Sequence, residues 1–394
     1  MPFKLKSLFE TVRSWFPKAS AEIEAQAVEL EAKLTEDPLP SLPPQELNAL
    51  RHRIHNLPKL PCDRTAILSA LEDALDSWGE DRESVNSLVI LGSPINEIAP
   101  LLVEALETWD KRDSYAIEWG ERSHRPQDWM RLPEELRSQL SAKVEEKRPS
   151  IVMIPDLSQC FLRCVEGLKG IEYLQNLAAQ DRDRFWLIGC NDWAWQYLDC
   201  VCQTSAYFDR TFSLPPLEQD ELKDWLSPVS NDFQVDVGED SRESDESKKK
   251  DDLSQKWRSS SEQDYFEKLA TVSRGVSGVA AELWLLSLSP IEEELEGKKS
   301  SCVSSLSKQI KLPDLPSLSQ VERHLLYALL LQGQISLSHL AVSLDETESF
   351  VRARIGVLRR SGLLRTKNRE IHVNPAHFFR LNNDLKNNRF LVGE

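Results

Sequence analysis

Apolar residues in this chain fall into two kinds of run. SLVILGS (87–93) is continuously apolar, ends at Gly92, and gives way to a helical rhythm at Ile98, Leu101, Leu102, Ala105 and Leu106. The same pairing recurs downstream. SYAIEWG (114–120) is a second short strand, and IVMIPD (151–156) is a third, followed by a helix to about Ala179. FWLIGCN (185–191) is a fourth, and TFSLPPL (211–217) is a fifth, before a helix that opens over Glu218–Leu226. Strands apolar on both faces and separated by helices predict a parallel sheet covered on both sides, which we assign to 61–229. Helical periodicity returns at Tyr265–Thr271 and Gly278–Leu288, predicting a helical lid over 263–295.

The last segment, 319–394, has a different rhythm. VERHLLYALLLQ predicts a helix closed by Gly333, ISLSHLAVSL a second capped by Ser336 or Ser338, and DETESFVRARIGVLRRSGLL a third ending at Gly362. LLRTKNREIHV alternates about Lys367-Asn368, a hairpin pattern. Three helices and a hairpin predict a winged helix-turn-helix. Two segments break the periodicity. Residues 230–262 hold 10 acidic and 6 basic residues among many serines and predict a disordered insertion, and 296–318, with Pro313 and Pro316, reads as a linker.

The amino-terminal end is basic and amphipathic. Leu5, Leu8, Phe9, Val12, Trp15 and Phe16 share one helical face, and Lys4, Lys6, Arg13 and Lys18 stand against Glu10 alone. Residues 1–18 thus have the composition of a helix that lies on an anionic membrane surface, with Phe3, Lys4, Lys6, Leu8, Phe9, Val12, Arg13, Trp15 and Phe16 as contacts. The same face would equally dock in a partner groove or on the chain's own body. Residues 19–60 are helical and proline-rich: an Ala/Glu helix, DPLPSLPP as a stiff spacer, and a short helix over Gln45–Asn56.

Composition narrows the classes. The 394 residues carry a net charge of −16, with 40% hydrophobic residues, which predicts packed cores rather than global disorder. No apolar run approaches the roughly 18 residues of a membrane span, and no signal peptide is evident. Seven cysteines do not suggest a disulfide scaffold, so a reducing, cytoplasmic setting is expected, with attachment to a membrane only through residues 1–18. Cys160, Cys164, Cys190, Cys200 and Cys202 lie among Phe161, Leu162, Val165, Leu198 and Val201 and read as buried free thiols, with Cys160 and Cys164 on one helix face. His52 and His55 read as surface residues. Trp193 and Trp195 would share a face if the fourth strand continued past Asn191. Neither a metal site nor a nucleophile motif is found.

The turn after the first strand is where a phosphate-binding loop would lie. Such loops use glycines to close backbone N–H groups around phosphate, a lysine to reach the terminal phosphates, and a hydroxyl to hold magnesium. Laid on G-x-x-x-x-G-K-[ST], Gly92 matches and Ser93 follows it, but Glu97, Ile98 and Ala99 stand at the remaining positions. A carboxylate at 97 repels phosphate. After the third strand, Pro155 and Asp156 fill the places where hydrolysis wants two carboxylates in succession.

With its strand–loop–helix start, acid-tipped strand, polar-ended strand, helical lid and winged helix, the chain resembles P-loop ATPases of the AAA+ and STAND type over roughly 61–394. The resemblance implies that Asn191 is the sensor at the end of its strand, that Arg210 approaches the nucleotide, and that Arg274 opens the lid helix carrying a second sensor. With Gly92, Ser93 and Asp156 these are the expected remnants of a nucleotide site. The departures at 97, 98, 99 and 155 imply a non-hydrolysing relative that needs no cofactor. ATP with magnesium would have to bind through atypical residues. Two ways of working stay open: contact with protein partners, or DNA contact by the winged helix. The latter would use Arg352, Arg354, Arg359, Arg360, Arg365, Lys367 and Arg369, although Asp345, Glu346 and Glu348 crowd the start of the third helix.

Overall fold

The computed structural model describes residues 42–58, 60–81, 85–119, 125–140, 148–230, 234–235, 250–290, 304–306, 310, 312–367 and 369–390. The basic amphipathic stretch 1–18 and the Ala/Glu helix expected after it lie outside these residues. In chain order the elements are α1 (Pro44–His55), α2 (Pro61–Glu80), β1 (Ser87–Gly92), α3 (Ile98–Glu107), β2 (Ala116–Trp119), α4 (Leu132–Leu140), β3 (Ser150–Ile154), α5 (Lys169–Gln180), β4 (Arg184–Asn191), α6 (Asp192–Cys202) and β5 (Thr211–Ser213). They continue with α7 (Gln219–Ser230), β6 (Gln234–Val235), α8 (Lys250–Ser273), α9 (Ser277–Leu286), β7 (Leu288–Pro290) and β8 (Ser304–Leu306). The last group is α10 (Gln320–Gln332), β9 (Ile335–Ser336), α11 (Leu337–Leu344), α12 (Glu348–Arg360), β10 (Leu364–Lys367), β11 (Glu370–Val373) and α13 (Phe378–Asn387).

Two compact units emerge. One takes the described residues up to Leu57 and those of Pro216–Leu312; the other takes Pro58–Pro215 and Pro313–Glu394. The second unit is built on a fully parallel sheet of order β2-β3-β4-β1-β5. All eight residues of central β4 are buried, because both faces are covered. Alternate residues serve opposite faces. Val89, Val152, Trp186 and Ile188 pack with Leu136 of α4, Leu174 of α5 and Leu198 of α6. Leu88, Ile90, Ile151 and Leu187 pack with Leu71 and Trp78 of α2 and with Leu102 and Leu106 of α3. Arg184, at the start of β4, is held in this core by Asp181 at 2.7 Å and Glu118 at 2.8 Å.

The carboxyl-terminal part of this unit is a winged helix: α10, α11 and α12 with a small antiparallel sheet of order β10-β11-β9. Ser319 and Glu322 form a reciprocal capping box on α10, and Ser336 rather than Ser338 caps α11. Gly333 (φ 68°) and Gly362 (φ 79°) end their helices in conformations that favour glycine.

The first unit gathers α1, α7, α8 and α9 with a three-stranded sheet of order β6-β8-β7. Arg51 of α1 grips Glu282 of α9 through two bonds of 2.7 and 3.1 Å. The turn between α8 and α9 needs glycine at Gly275. Its φ is 66°, and a Cβ there would sit 2.3 Å from the Leu217 backbone nitrogen.

Several expectations are corrected. Helix α8 begins at Lys250, inside the stretch 230–262 read as disordered, and β8 lies inside the 296–318 linker. Their polar composition hid them. Helix α7, assigned by sequence to the α/β domain, packs in the first unit, so the unit boundary falls at 215/216. Trp193 and Trp195 lie on α6, not on an extended β4, because Asn191 caps a helix there. Cys160 and Cys164 do not share a helix: 157–160 is a 3₁₀ turn followed by a loop through Leu168. Cys160 and Cys190 are buried thiols, whereas Cys200 is exposed. Helices α2, α4 and α13 were not foreseen.

Candidate functional site

In a parallel sheet the carboxyl ends of the strands open onto one edge, where loops converge and ligands usually bind. Here β1 and β4 end side by side, with Gly92 opposite Asn191, and β3 ends next to β4, with Ile154 opposite Ile188. Gly92, Ser93, Asp156 and Asn191 are therefore brought to the same edge.

The loop after β1 is a packed corner. Ser93 folds it, its carbonyl accepting from Asn96 N at 2.9 Å and its hydroxyl from Ile95 N at 3.4 Å. Ile98, at the lysine position, is 5% exposed. It closes over Gly92 and Gly189, within 3.1 Å of where a Cβ on either would lie. Pro94 in the loop and Pro100 in the first turn of α3 carry no N–H, so an anion here would find fewer backbone donors than a phosphate loop offers. Glu97 is exposed and reaches Lys367 of the wing at 3.5 Å.

Asp156 is committed to its own loop. It caps the turn 157–160, accepting from Ser158 N at 2.9 Å and from Gln159 Nε2 at 3.4 Å. Burial pushes its carboxyl up from the usual carboxylate range, against the pull of those bonds and of Arg125. Asn191 is engaged through both amide atoms as well. Its Oδ1 accepts from Ala194 N at 2.7 Å, and its Nδ2 donates to the Leu331 carbonyl at 3.0 Å. The neighbouring Asp192 carboxyl is pushed up to about 7 by burial, opposed only in part by backbone N–H bonds from Trp193 and its own amide. These residues do not fit a magnesium nucleotide: the would-be metal ligand caps a turn and the would-be sensor amide is turned to the Leu331 carbonyl and the start of α6. Among the described residues, no group of three or more His, Cys, Asp or Glu is placed to hold a metal.

The edge is filled by the carboxyl end of α10. Helices leave their last carbonyls without intrahelical partners. Leu331 O is met by Asn191, and Gln332 O by Gln159 Nε2 at 3.1 Å and Ser158 Oγ at 3.4 Å. Gln332 is fully buried, and its Oε1 accepts from Arg125. The Arg125 guanidinium, 8% exposed, also donates to Phe161 O at 2.8 Å and Ser158 O at 2.6 Å. Desolvation lowers its pKa to about 10 and leaves it charged at neutral pH. His339 of α11 meets the Gln127 carbonyl at 3.0 Å, and Trp193 packs between Tyr327 and Phe378 at ring distances of 6.0 and 6.1 Å. The negative end of the α10 dipole thus faces the donors of Asn191, Ser158, Gln159 and Arg125.

The other expected residues lie elsewhere. Arg210 precedes β5 and sits toward the opposite edge: its carbonyl accepts from Val89 N, and its guanidinium donates to Asp73 O at 3.3 Å and Ser77 Oγ at 3.4 Å on α2. It is not brought together with Gly92, because β5 pairs with β1 from Val89 onward. Arg274 lies in the first unit, in the left-handed turn after α8, with φ 53°. On the winged helix, Arg352 pairs with Glu348 at 3.6 Å and Arg354 with Glu322 at 3.8 Å. Arg359, Arg360 and Arg369 are exposed, and Arg365 is half-buried. The sequence reading missed Arg125, Ser158, Gln159 and Gln332. No motif marks them; only the oddity of a polar SQ pair between Leu157 and Cys160, and of Gln332 closing an apolar helix, hinted at buried polar work.

The chain matches no protein-family model, and no curated protein matches it. Solved structures do resemble it. The Aeropyrum pernix ORC1 protein in complex with DNA is 12% identical with a TM-score of 0.37, covering 83% of this chain and 94% of that one. The Aeropyrum pernix ORC2 protein in its ADPNP–ADP complexes is 13% identical at 0.31, covering 90% and 96%. Cdc6p from Pyrobaculum aerophilum is 12% identical at 0.30, covering 84% and 96%.

Proposed function

We propose that this protein is a non-hydrolysing, ATPase-like scaffold that acts through protein partners. The observation that carries the reading is Ile98. The position that would hold the phosphate-binding lysine is a core residue packed over β1 and β4 at Gly92 and Gly189, with an exposed carboxylate beside it. A cation there would have to be buried without a partner, so no rotamer change restores the grip. Equilibrium binding of ATP with magnesium to the full chain, read by calorimetry alongside phosphate release, tests it. No saturable binding and no turnover are expected; magnesium-dependent binding or turnover would overturn it.

The alternative, a winged-helix DNA-binding regulator, has less support. Three of its seven expected cations, Arg352, Arg354 and Lys367, already face carboxylates of the chain. Retardation of duplex DNA that falls steeply with salt would favour that alternative. Contact with an anionic membrane belongs to the proposal through residues 1–18 alone. Among the described residues no helix is long and apolar enough to cross a membrane. Flotation with anionic vesicles, lost on trimming those residues, is the expected result.

A further inference from the structure

We infer that Arg163, with the hydroxyls of Tyr197 and Tyr327, forms a binding site for an oxyanion, phosphate or carboxylate, carried on an apolar or aromatic group. Three elements bring these side chains together. Arg163 stands in the loop 161–168, and two residues before it the Phe161 ring stacks on Tyr197 of α6 at 5.8 Å and 21°. Trp193, one turn before Tyr197, packs 6.0 Å from Tyr327 of α10, and Phe390 packs on that same phenol ring at 5.2 Å. Tyr327 is buried and Tyr197 half-buried.

What marks this cluster is its uncommitted donors. Arg163 Nε is buried and has no hydrogen-bond partner. Among the described residues the guanidinium forms no ion pair, and neither phenol hydroxyl has a partner. A guanidinium nitrogen buried in this way costs free energy that a bound anion would return. Of the side chains acting on the two phenols, Arg163 acts most strongly and favours their ionised forms. Burial outweighs it, so both phenols stay protonated and able to donate. The thiols of Cys164, Cys200 and Cys202 are pushed up by burial and add no negative charge. The acids nearest along the chain are engaged: Glu166 pairs with Lys169 at 3.1 Å, and Asp199 accepts from Ser205 N at 2.9 Å. One guanidinium and two phenols are a donor set suited to an oxyanion. The apolar part of the ligand follows from two neighbours. Val165, two residues beyond Arg163, is 87% exposed, and Val201, one turn beyond Tyr197, is 48% exposed.

Calorimetric titration of the full chain with phenyl phosphate and with phenylacetate, against inorganic phosphate at matched ionic strength, tests the site. At least one aromatic anion should bind saturably and more tightly than inorganic phosphate, and the tighter of the two identifies the anion. Arg163→Gln should weaken that binding by about tenfold or more, the loss of one charge-assisted hydrogen bond. Tyr197→Phe and Tyr327→Phe keep the rings, remove one hydroxyl each, and should each weaken it by about two- to tenfold. Arg112→Gln removes an exposed arginine elsewhere and should change nothing. Should Arg163→Gln fail to fold, the two phenylalanine variants decide. No saturable binding, inorganic phosphate bound as tightly as the aromatic anions, or unchanged affinity in Arg163→Gln or in both phenylalanine variants overturns the proposal. ATP binding measured on the same chain bears on the scaffold reading alone, because the Arg163 and tyrosine variants leave residues 92–99 untouched.

Discussion

Asn191 offers the sharpest test of how the sheet edge is built, because its two amide atoms do different jobs. The oxygen caps α6 by accepting from Ala194 N at 2.7 Å; the nitrogen donates to Leu331 O at 3.0 Å. Removing a cap costs about 1 kcal/mol, and leaving a buried carbonyl without a partner costs about 1–3 kcal/mol. Asn191→Ala loses both and should destabilise the second unit by about 2–4 kcal/mol. Asn191→Ser keeps an acceptor for the cap but has no reach to Leu331, so it should lose only the second part, about 1–3 kcal/mol. Asn191→Asp keeps the cap and turns a carboxylate toward a carbonyl oxygen, so interface exchange should rise most in this variant. Chemical denaturation of the full chain, with hydrogen exchange at 327–332, measures both effects. If Ser matches wild type, the bond to Leu331 contributes nothing. If Asp protects the interface better than Asn, the carbonyl end of α10 is not what faces this position.

Further outcomes follow from the same structure. Asp192 has a folded pKa of about 7 against the usual 3.8, so the stability linked to its protonation is full below about pH 4 and lost as pH rises through 7. Asp192→Asn should gain about 2–4 kcal/mol over wild type at pH 8, allowing for partial exposure, and the gain should vanish near pH 4 in parallel denaturation series. His377 is buried, and desolvation lowers its pKa to about 4, aided by Arg365 and Arg380. The stability of its neutral form is therefore present above about pH 6.5 and is lost as pH falls toward 4. His377→Gln should flatten that acid limb by about 3 kcal/mol in a comparison of thermal midpoints. Gly170→Ala would place a Cβ 2.3 Å from Cys160 O and 2.8 Å from a Leu132 methyl. Backbone must move, so a loss of at least about 2 kcal/mol is expected by urea denaturation, and a neutral result would show that the α4–α5 contact is looser than described.

The sequence determined the five strands of the parallel sheet and the elements of the winged helix, in order, but not α2, α4, α8 or α13. Short β-branched apolar runs ending at Gly92, Ile154 and Asn191 read as strands buried on both faces, and the cap and glycine positions of 319–362 set the winged-helix framework. It also showed that Glu97, Ile98 and Ala99 depart from the phosphate-loop pattern after Gly92, since they are visible in one dimension. Which residues pack at that sheet edge was decided by tertiary structure. Asp156 and Asn191 look like a metal ligand and a sensor until the fold brings Ala194 N, Ser158 N and Leu331 O against them. Arg125 and Gln332 lie 207 residues apart, and no periodicity links them. Arg210 was misplaced for the converse reason: its neighbourhood follows from the register of β5 on β1, a non-local quantity. Side-chain spacing reports which face of its own helix or strand a residue shares. A donor's acceptor depends on chain closure across loops, and that depends on the packing of the whole unit.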